Sequence, residues 1–163
     1  MLVQVKAAGL NSSDVSNVLG KHPYTTLPRI PGRDFAGVVV EGPKALNGKE
    51  VWGTGKEFGF NRDGAHAEFI VALIDAVALK PATLSFVEAA ACGVAYTTAW
   101  SAVERCEVRE GTTFLVIGGA GAVGTAALSL ARWRGARAVA AVRQPAQAEK
   151  LAAQGVQAML LPT

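Results

Sequence analysis

Gly118 to Gly124 is the stretch that most restricts how this chain can fold. It follows an apolar run, Phe114-Leu-Val-Ile117, and opens a helix-like segment that ends near Arg134. A strand that turns through glycines straight into a helix is the start of a βαβ unit, and its loop is built to approach a dinucleotide. Read as G-x-G-x-x-G, Gly119 makes the tight turn, Gly121 lets the backbone come close to a pyrophosphate, and Gly124 lets the helix lie close to the strand. Ala120, Ala122 and Val123 complete the loop and the first helical turn, whose free N–H groups and partial positive charge favour an anion. The pattern continues with a strand at 113–117, a helix at 122–134, a strand at 137–142, a helix at 146–154 and a strand at 157–161. That order is βαβαβ, one half of a doubly wound parallel sheet.

The first half of the chain reads differently. Val3 to Ala7 alternates like a strand, and Ser12 to Gly20 reads as a short helix with Val15, Val18 and Leu19 on one face. Short strands follow at 35–40, 50–52 and 67–71, bounded by Gly42-Pro43 and Asp63-Gly64, which suggests a β-barrel or sandwich. Ser85-Phe-Val-Glu88 fits a capping box and starts an alanine-rich helix running to about Arg105.

With half of its 163 residues hydrophobic and a formal net charge of +3, the chain reads as globular. No apolar run reaches the ~18 residues of a membrane span, and the start lacks the regions of a signal peptide, so a cytoplasmic location is expected. Cys92 and Cys106, the only cysteines, form no C-x-x-C pair, and two reduced thiols are expected. Arg132, Arg134, Arg137 and Arg143 gather the excess charge near a helix end, without the aromatic interleaving of a nucleic-acid surface, so neither nucleic acid nor membrane is expected as a partner.

Several stretches together resemble the medium-chain dehydrogenase/reductases, and within them the zinc-independent quinone oxidoreductase branch. They are Val5-Lys-Ala-Ala-Gly-Leu-Asn11-Ser-Ser-Asp14, Ile30-Pro-Gly-Arg-Asp34-Phe-Ala-Gly-Val-Val, Gly64-Ala-His-Ala-Glu68, Leu84-Ser-Phe-Val-Glu-Ala-Ala-Ala91, Thr97-Thr-Ala-Trp100 and the glycine loop, in that order. The resemblance implies an α/β chain with a GroES-like β-barrel substrate domain over 1–92 and a partial Rossmann domain over 93–163, shortened at both ends. The missing second half of the Rossmann sheet is expected to leave the edge of the third strand and an apolar sheet face uncovered.

The resemblance also distributes the site. Zinc-dependent members carry a cysteine where this chain has Asn11, G-H-E where it has Gly32-Arg33-Asp34, and a third ligand near Val94, so no zinc is expected. Asn11 falls at the family's active-site asparagine, where its amide contacts nicotinamide ribose or substrate; an N-cap for the following helix is the plainer role. His22 stands where relatives have a tyrosine in the substrate cleft, and can donate a hydrogen bond or proton to the acceptor oxygen. An exposed turn histidine is its alternative, and Tyr24 the substitute candidate if the loop is registered differently. Asp14 and His66 are expected to be structural. Thr98 matches a threonine near the nicotinamide, against a packing role in its helix.

For the cofactor, Ala140-Ala-Val-Arg143-Gln at the end of the second strand holds no carboxylate for a ribose 2′-OH, while Arg143 can pair with a 2′-phosphate. NADPH is therefore expected over NADH, although Gln147 and Pro162 replace residues that often support that phosphate, with Lys150 as a substitute. The resulting expectation is an NADPH-dependent, zinc-independent oxidoreductase acting on a quinone, enone or carbonyl acceptor, with homo-oligomerisation open. The competing reading is a non-catalytic nucleotide-binding or interaction module.

Overall fold

The computed structural model describes residues 1–55 and 57–162. Two compact units divide it, Met1–Val94 and Ala95–Thr163.

The first unit is a five-stranded antiparallel sheet built from β1 (Leu2–Ala8), β2 (Phe35–Glu41), β3 (Glu50–Gly53), β4 (Phe69–Val71) and β5 (Val77–Leu79), in the order β4-β1-β2-β3-β5. Its core gathers Val3, Phe35, Val39, Val51, Phe58 and Ile70, with the rings of Phe35 and Phe58 edge to face at 5.8 Å. β5 and the single 3₁₀ turn before it, Ile74–Ala76, are absent from the sequence reading. Three residues are too few to show a period, and only pairing with β3 reveals the strand.

Helix α1 (Ser12–Val18) corrects one expectation. Val15, Val18 and Leu19 are exposed, and the residues it buries are Asp14 and Asn17. Hydrogen bonds decide the orientation: Asn17 Nδ2 donates to the Gly59 carbonyl, Thr25 Oγ1 donates to Asn17 Oδ1, and Asp14 Oδ2 accepts the Asn11 backbone N–H at 2.8 Å. These bonds outweigh the modest gain from burying one valine edge, even though Asp14 Oδ1 and Ser13 Oγ are buried without a partner.

Helix α2 (Phe86–Arg105) begins as its capping box requires. The Glu88 carboxylate accepts both the Ser85 backbone N–H at 2.8 Å and the Ser85 hydroxyl at 2.7 Å, while Glu88 N–H donates back to Ser85 Oγ at 3.2 Å. The Ser85 backbone bond first, then its hydroxyl, pull the Glu88 carboxyl below the usual glutamate range. Ser85→Ala removes the hydroxyl from both of its bonds and should destabilise the chain at neutral pH. A lowered folded-state value means stability that is present above the ordinary glutamate pKa and lost as pH falls through the folded one. Urea melts from pH 7 into the acid range should show the gap between Ser85→Ala and the parent narrowing to what the Glu88 N–H to Ser85 Oγ bond contributes.

The second unit places β6 (Thr113–Ile117), β7 (Arg137–Val142) and β8 (Gln157–Leu160) in a parallel sheet, order β6-β7-β8, connected through α3 (Ala122–Trp133) and α4 (Pro145–Ala153). Val116, Ala138, Ala140 and Val142 on one sheet face pack with Ala127, Leu128 and Ala131 of α3, Leu151 of α4, and Ala95, Ala99 and Val103 of α2. The alternate residues leave Leu115 and Ile117 exposed, the latter by 74%. On that same face Val139 and Ala141 of the central strand are buried, and β6 and β8 are the edge strands of the described sheet.

Candidate functional site

The glycine loop sits at the end of β6, and its four glycines differ in what demands them. The left-handed backbone expected at Gly119 falls on Gly118, with φ of 77°. Gly118 N–H is held by the Ala141 carbonyl at 2.9 Å, which ties the turn to β7. Gly119 answers to packing: a Cβ there would stand 2.6 Å from Ala140 Cβ. A Cβ on Gly124 would meet the Gly118 carbonyl oxygen at 2.4 Å and Gly119 Cα at 2.8 Å, so α3 starts hard against the loop. Gly121 alone is unconstrained by the protein. Its φ is −79° and the nearest atom to an added Cβ lies 3.4 Å away.

Gly121 is also the N-cap of α3, and no side chain caps the N–H groups that follow at Ala122, Val123 and Gly124. The first turn contains no acidic residue. These orphan donors and the helix dipole favour an anion. Beside them lies a cavity of about 550 Å³ lined by Gly118, Ala120, Gly121, Arg143, Gln144 and Gln147, among others. Arg143 follows β7 directly, is exposed, and forms no ion pair among the described residues. Lys150 lines a neighbouring groove that shares Ala120 and Gln147 with this cavity. The size, open loop backbone and single cation suit a dinucleotide's phosphates.

Thr98 lies on α2, exposed and outside the lining of that cavity. In the first unit, Asn11 is the N-cap of α1, and its side-chain Nδ2 donates to Asp34 Oδ2 at 2.9 Å. Asn11 thus takes the plainer N-cap position, with its amide tied to Asp34. Asp34 is the residue that the sequence reading passed over, since there it marked only a lost metal ligand. It is 1% exposed and accepts from Asn11 Nδ2, from the Thr54 hydroxyl and from Val94 N–H, the last at 2.9 and 3.1 Å to its two oxygens. A Cβ on Gly93 would stand 2.2 Å from Asp34 Oδ1, so the α2 backbone presses directly on this carboxylate. A single acidic letter between arginine and phenylalanine carries no spacing signal for such a hub.

His22 packs its ring on Phe60 with centroids 5.1 Å apart, and its Nε2 is buried without a partner. It is therefore not the freely solvated turn histidine. No contact joins His22 to Asn11 among the described residues. Tyr24 is 79% exposed. The His66 ring bonds the Gly9 carbonyl at 3.0 Å and packs where Gly32 lacks a side chain, a structural position. Burial first, then the charges of Asp34 and Glu88, push the Cys92 thiol up, which keeps it protonated. No group of three or more His, Cys, Asp or Glu residues gathers into a possible metal site among the described residues. No described helix is long and apolar enough to cross a membrane.

An antiparallel sheet unit followed by a βαβαβ unit with an open glycine loop defines the medium-chain dehydrogenase/reductase class. The chain belongs to the family described as alcohol dehydrogenase GroES-like domain, whose family model matches residues 1–82. It is 43% identical over 144 residues to the zinc-type alcohol dehydrogenase-like protein C337.11 of Schizosaccharomyces pombe, covering 88% of this chain and 44% of that protein. It is 39% identical over 165 residues to 2-methylene-furan-3-one reductase of Solanum lycopersicum, covering 95% of this chain and 42% of that enzyme. The solved quinone oxidoreductase of Thermus thermophilus, also determined in complex with NADPH, superposes with a TM-score of 0.80 at 32% identity, covering 96% of this chain and 49% of the other. The chain spans less than half the length of these relatives.

Proposed function

We propose that this chain carries the phosphate-binding loop and the acceptor-facing residues of an NADPH-dependent, zinc-independent reductase of quinones or enones, acting in the cytoplasm. The observation that carries the reading is Gly121. Nothing in the protein requires a glycine there, neither its φ nor its neighbours, while a ligand lying on the α3 N-terminus does. The relatives named as an enone-type reductase and as a quinone oxidoreductase with NADPH support the same chemistry.

In this reading the N–H groups of Ala122, Val123 and Gly124 bind the pyrophosphate, and Arg143 binds the 2′-phosphate. A bound nicotinamide supplies the hydride. Asn11, with its amide nitrogen held by Asp34, orients ribose or acceptor, and Thr98 contacts the nicotinamide end. His22 donates a hydrogen bond to an oxygen of the acceptor. Asparagine at position 11 and arginine at 33 put an amide and a cation where zinc-dependent relatives place ligands, a donor set unsuited to zinc.

NADPH binding followed by fluorescence, together with NADPH oxidation by a simple quinone, tests the proposal. Binding with turnover is expected. Binding without turnover would favour the second reading, a nucleotide-binding module, for which the exposed Leu115 and Ile117 speak. Arg143→Ala should weaken NADPH about tenfold or more while leaving NADH nearly unchanged, since a charge-assisted pair contributes about 1.5–3 kcal/mol. Equal losses for both nucleotides would remove Arg143 from the 2′-phosphate.

A further inference from the structure

Two arginines four residues apart are treated in opposite ways by the first unit. Arg29 is fully used: its guanidinium bonds Asp63 Oδ1 at 3.1 Å, the Thr26 carbonyl at 3.1 Å and the Thr26 hydroxyl at 2.6 Å. Arg33 is half-buried and has no hydrogen bond or ion pair among the described residues. Its Nε is buried without an acceptor, and the guanidinium lies over the Phe60 ring at 5.1 Å. The same ring carries His22, whose Nε2 is likewise buried without a partner. The adjacent carboxylate, Asp34, is already engaged by Asn11, Thr54 and Val94.

A cation removed in part from water, with no anion to compensate it, is an unfavourable arrangement that a ligand can correct. Buried polar atoms without partners mark the places where water or ligand completes the bonding. Here the two side chains that carry such nitrogens both pack on the Phe60 ring, and the Arg33 guanidinium has N–H groups that can form a planar pair with an oxyanion. The residue beside Arg33 in the chain positions Asn11. We infer that Arg33 and His22 form an oxyanion subsite around Phe60, and that its occupant is a carboxylate on the acceptor. This rests on the reductase reading above and narrows its substrate class to acidic acceptors. The carboxylate would be held away from the reacting bond, so the subsite orients the acceptor and takes no part in electron transfer.

Titration of the whole chain with 4-oxopentanoate, methyl 4-oxopentanoate and inorganic pyrophosphate, following the Arg33 Nε–Hε and His22 ring resonances by NMR, tests the inference without turnover. The acid should move both signals and bind at least tenfold more tightly than its ester, the factor that about 1.4 kcal/mol represents. Arg33→Gln should bring the acid-to-ester ratio close to one, and Arg33→Lys should retain part of it. Equal binding of acid and ester to the parent chain overturns the proposal, whether or not the variants fold. Saturation by pyrophosphate at lower concentration than by the acid overturns it too, assigning the subsite to the cofactor's phosphates. Failure of the reductase reading would show separately, as no NADPH oxidation with any acceptor.

Discussion

Gly124→Ala is expected to weaken NADPH binding by about tenfold or more and to destabilise the chain, although the substitution improves helix propensity. Alanine in a helix interior is worth about 1 kcal/mol over glycine, so a position without steric demands would gain stability. At Gly124 the new methyl would stand 2.4 Å from the Gly118 carbonyl oxygen and 2.8 Å from Gly119 Cα. Both are backbone atoms of a loop already held to Ala141, so the clash cannot be relieved by turning a side chain. Gly121→Ala provides the contrast. Its methyl finds room in the protein, so the stability cost should be confined to a poorer N-cap, about 1 kcal/mol or less, while the pyrophosphate loses its close approach. Urea unfolding and NADPH titration of the two variants separate the effects. A Gly121→Ala protein that binds NADPH as well as the parent would remove the main support for the proposed function.

Asp34→Ala should cost about 3 kcal/mol or more of folding stability, read from urea midpoints at constant m. The loss leaves three donors, Asn11 Nδ2, the Thr54 hydroxyl and Val94 N–H, without their buried acceptor, at about 1–3 kcal/mol for each that water cannot reach. Asp34→Asn should cost much less. The Thr54 hydroxyl can turn to accept from the new amide, while the remaining oxygen still serves Asn11 and Val94. Asp34→Asn would then keep the fold and loosen the Asn11 amide, lowering reductase turnover more than NADPH affinity. Equal costs for the two variants would mean that the carboxylate fills space and does not organise the donors around it.

The Rossmann part was the more legible in sequence. Its helices and strands alternate as βαβαβ around the glycine loop, although the apolar run Phe114–Ile117 did not tell which face leaves Leu115 and Ile117 exposed. The α1 helix was legible as a helix but not in its orientation. Its valines formed an apolar stripe, and the contacts that turned Asp14 and Asn17 inward reach to Gly59 and Thr25, which no local pattern displays. β5 was invisible for a related reason, since three residues become a strand only by pairing with β3. In the glycine loop, the spacing identified the motif while assigning the turn to Gly119; the φ of Gly118 and the contact with Ala140 divided the roles differently.

By itself the sequence determined the class of fold, the place of the phosphate loop and Arg143 at the end of the second parallel strand, because each depends on residues that are neighbours along the chain. Only the tertiary structure decided that Asp34 holds Asn11, that Gly121 is spared by the protein, and that Arg33 shares Phe60 with His22 while Arg29 is fully paired. Those facts depend on burial and on partners 23 to 60 residues apart, and desolvation makes each unpaired polar atom count.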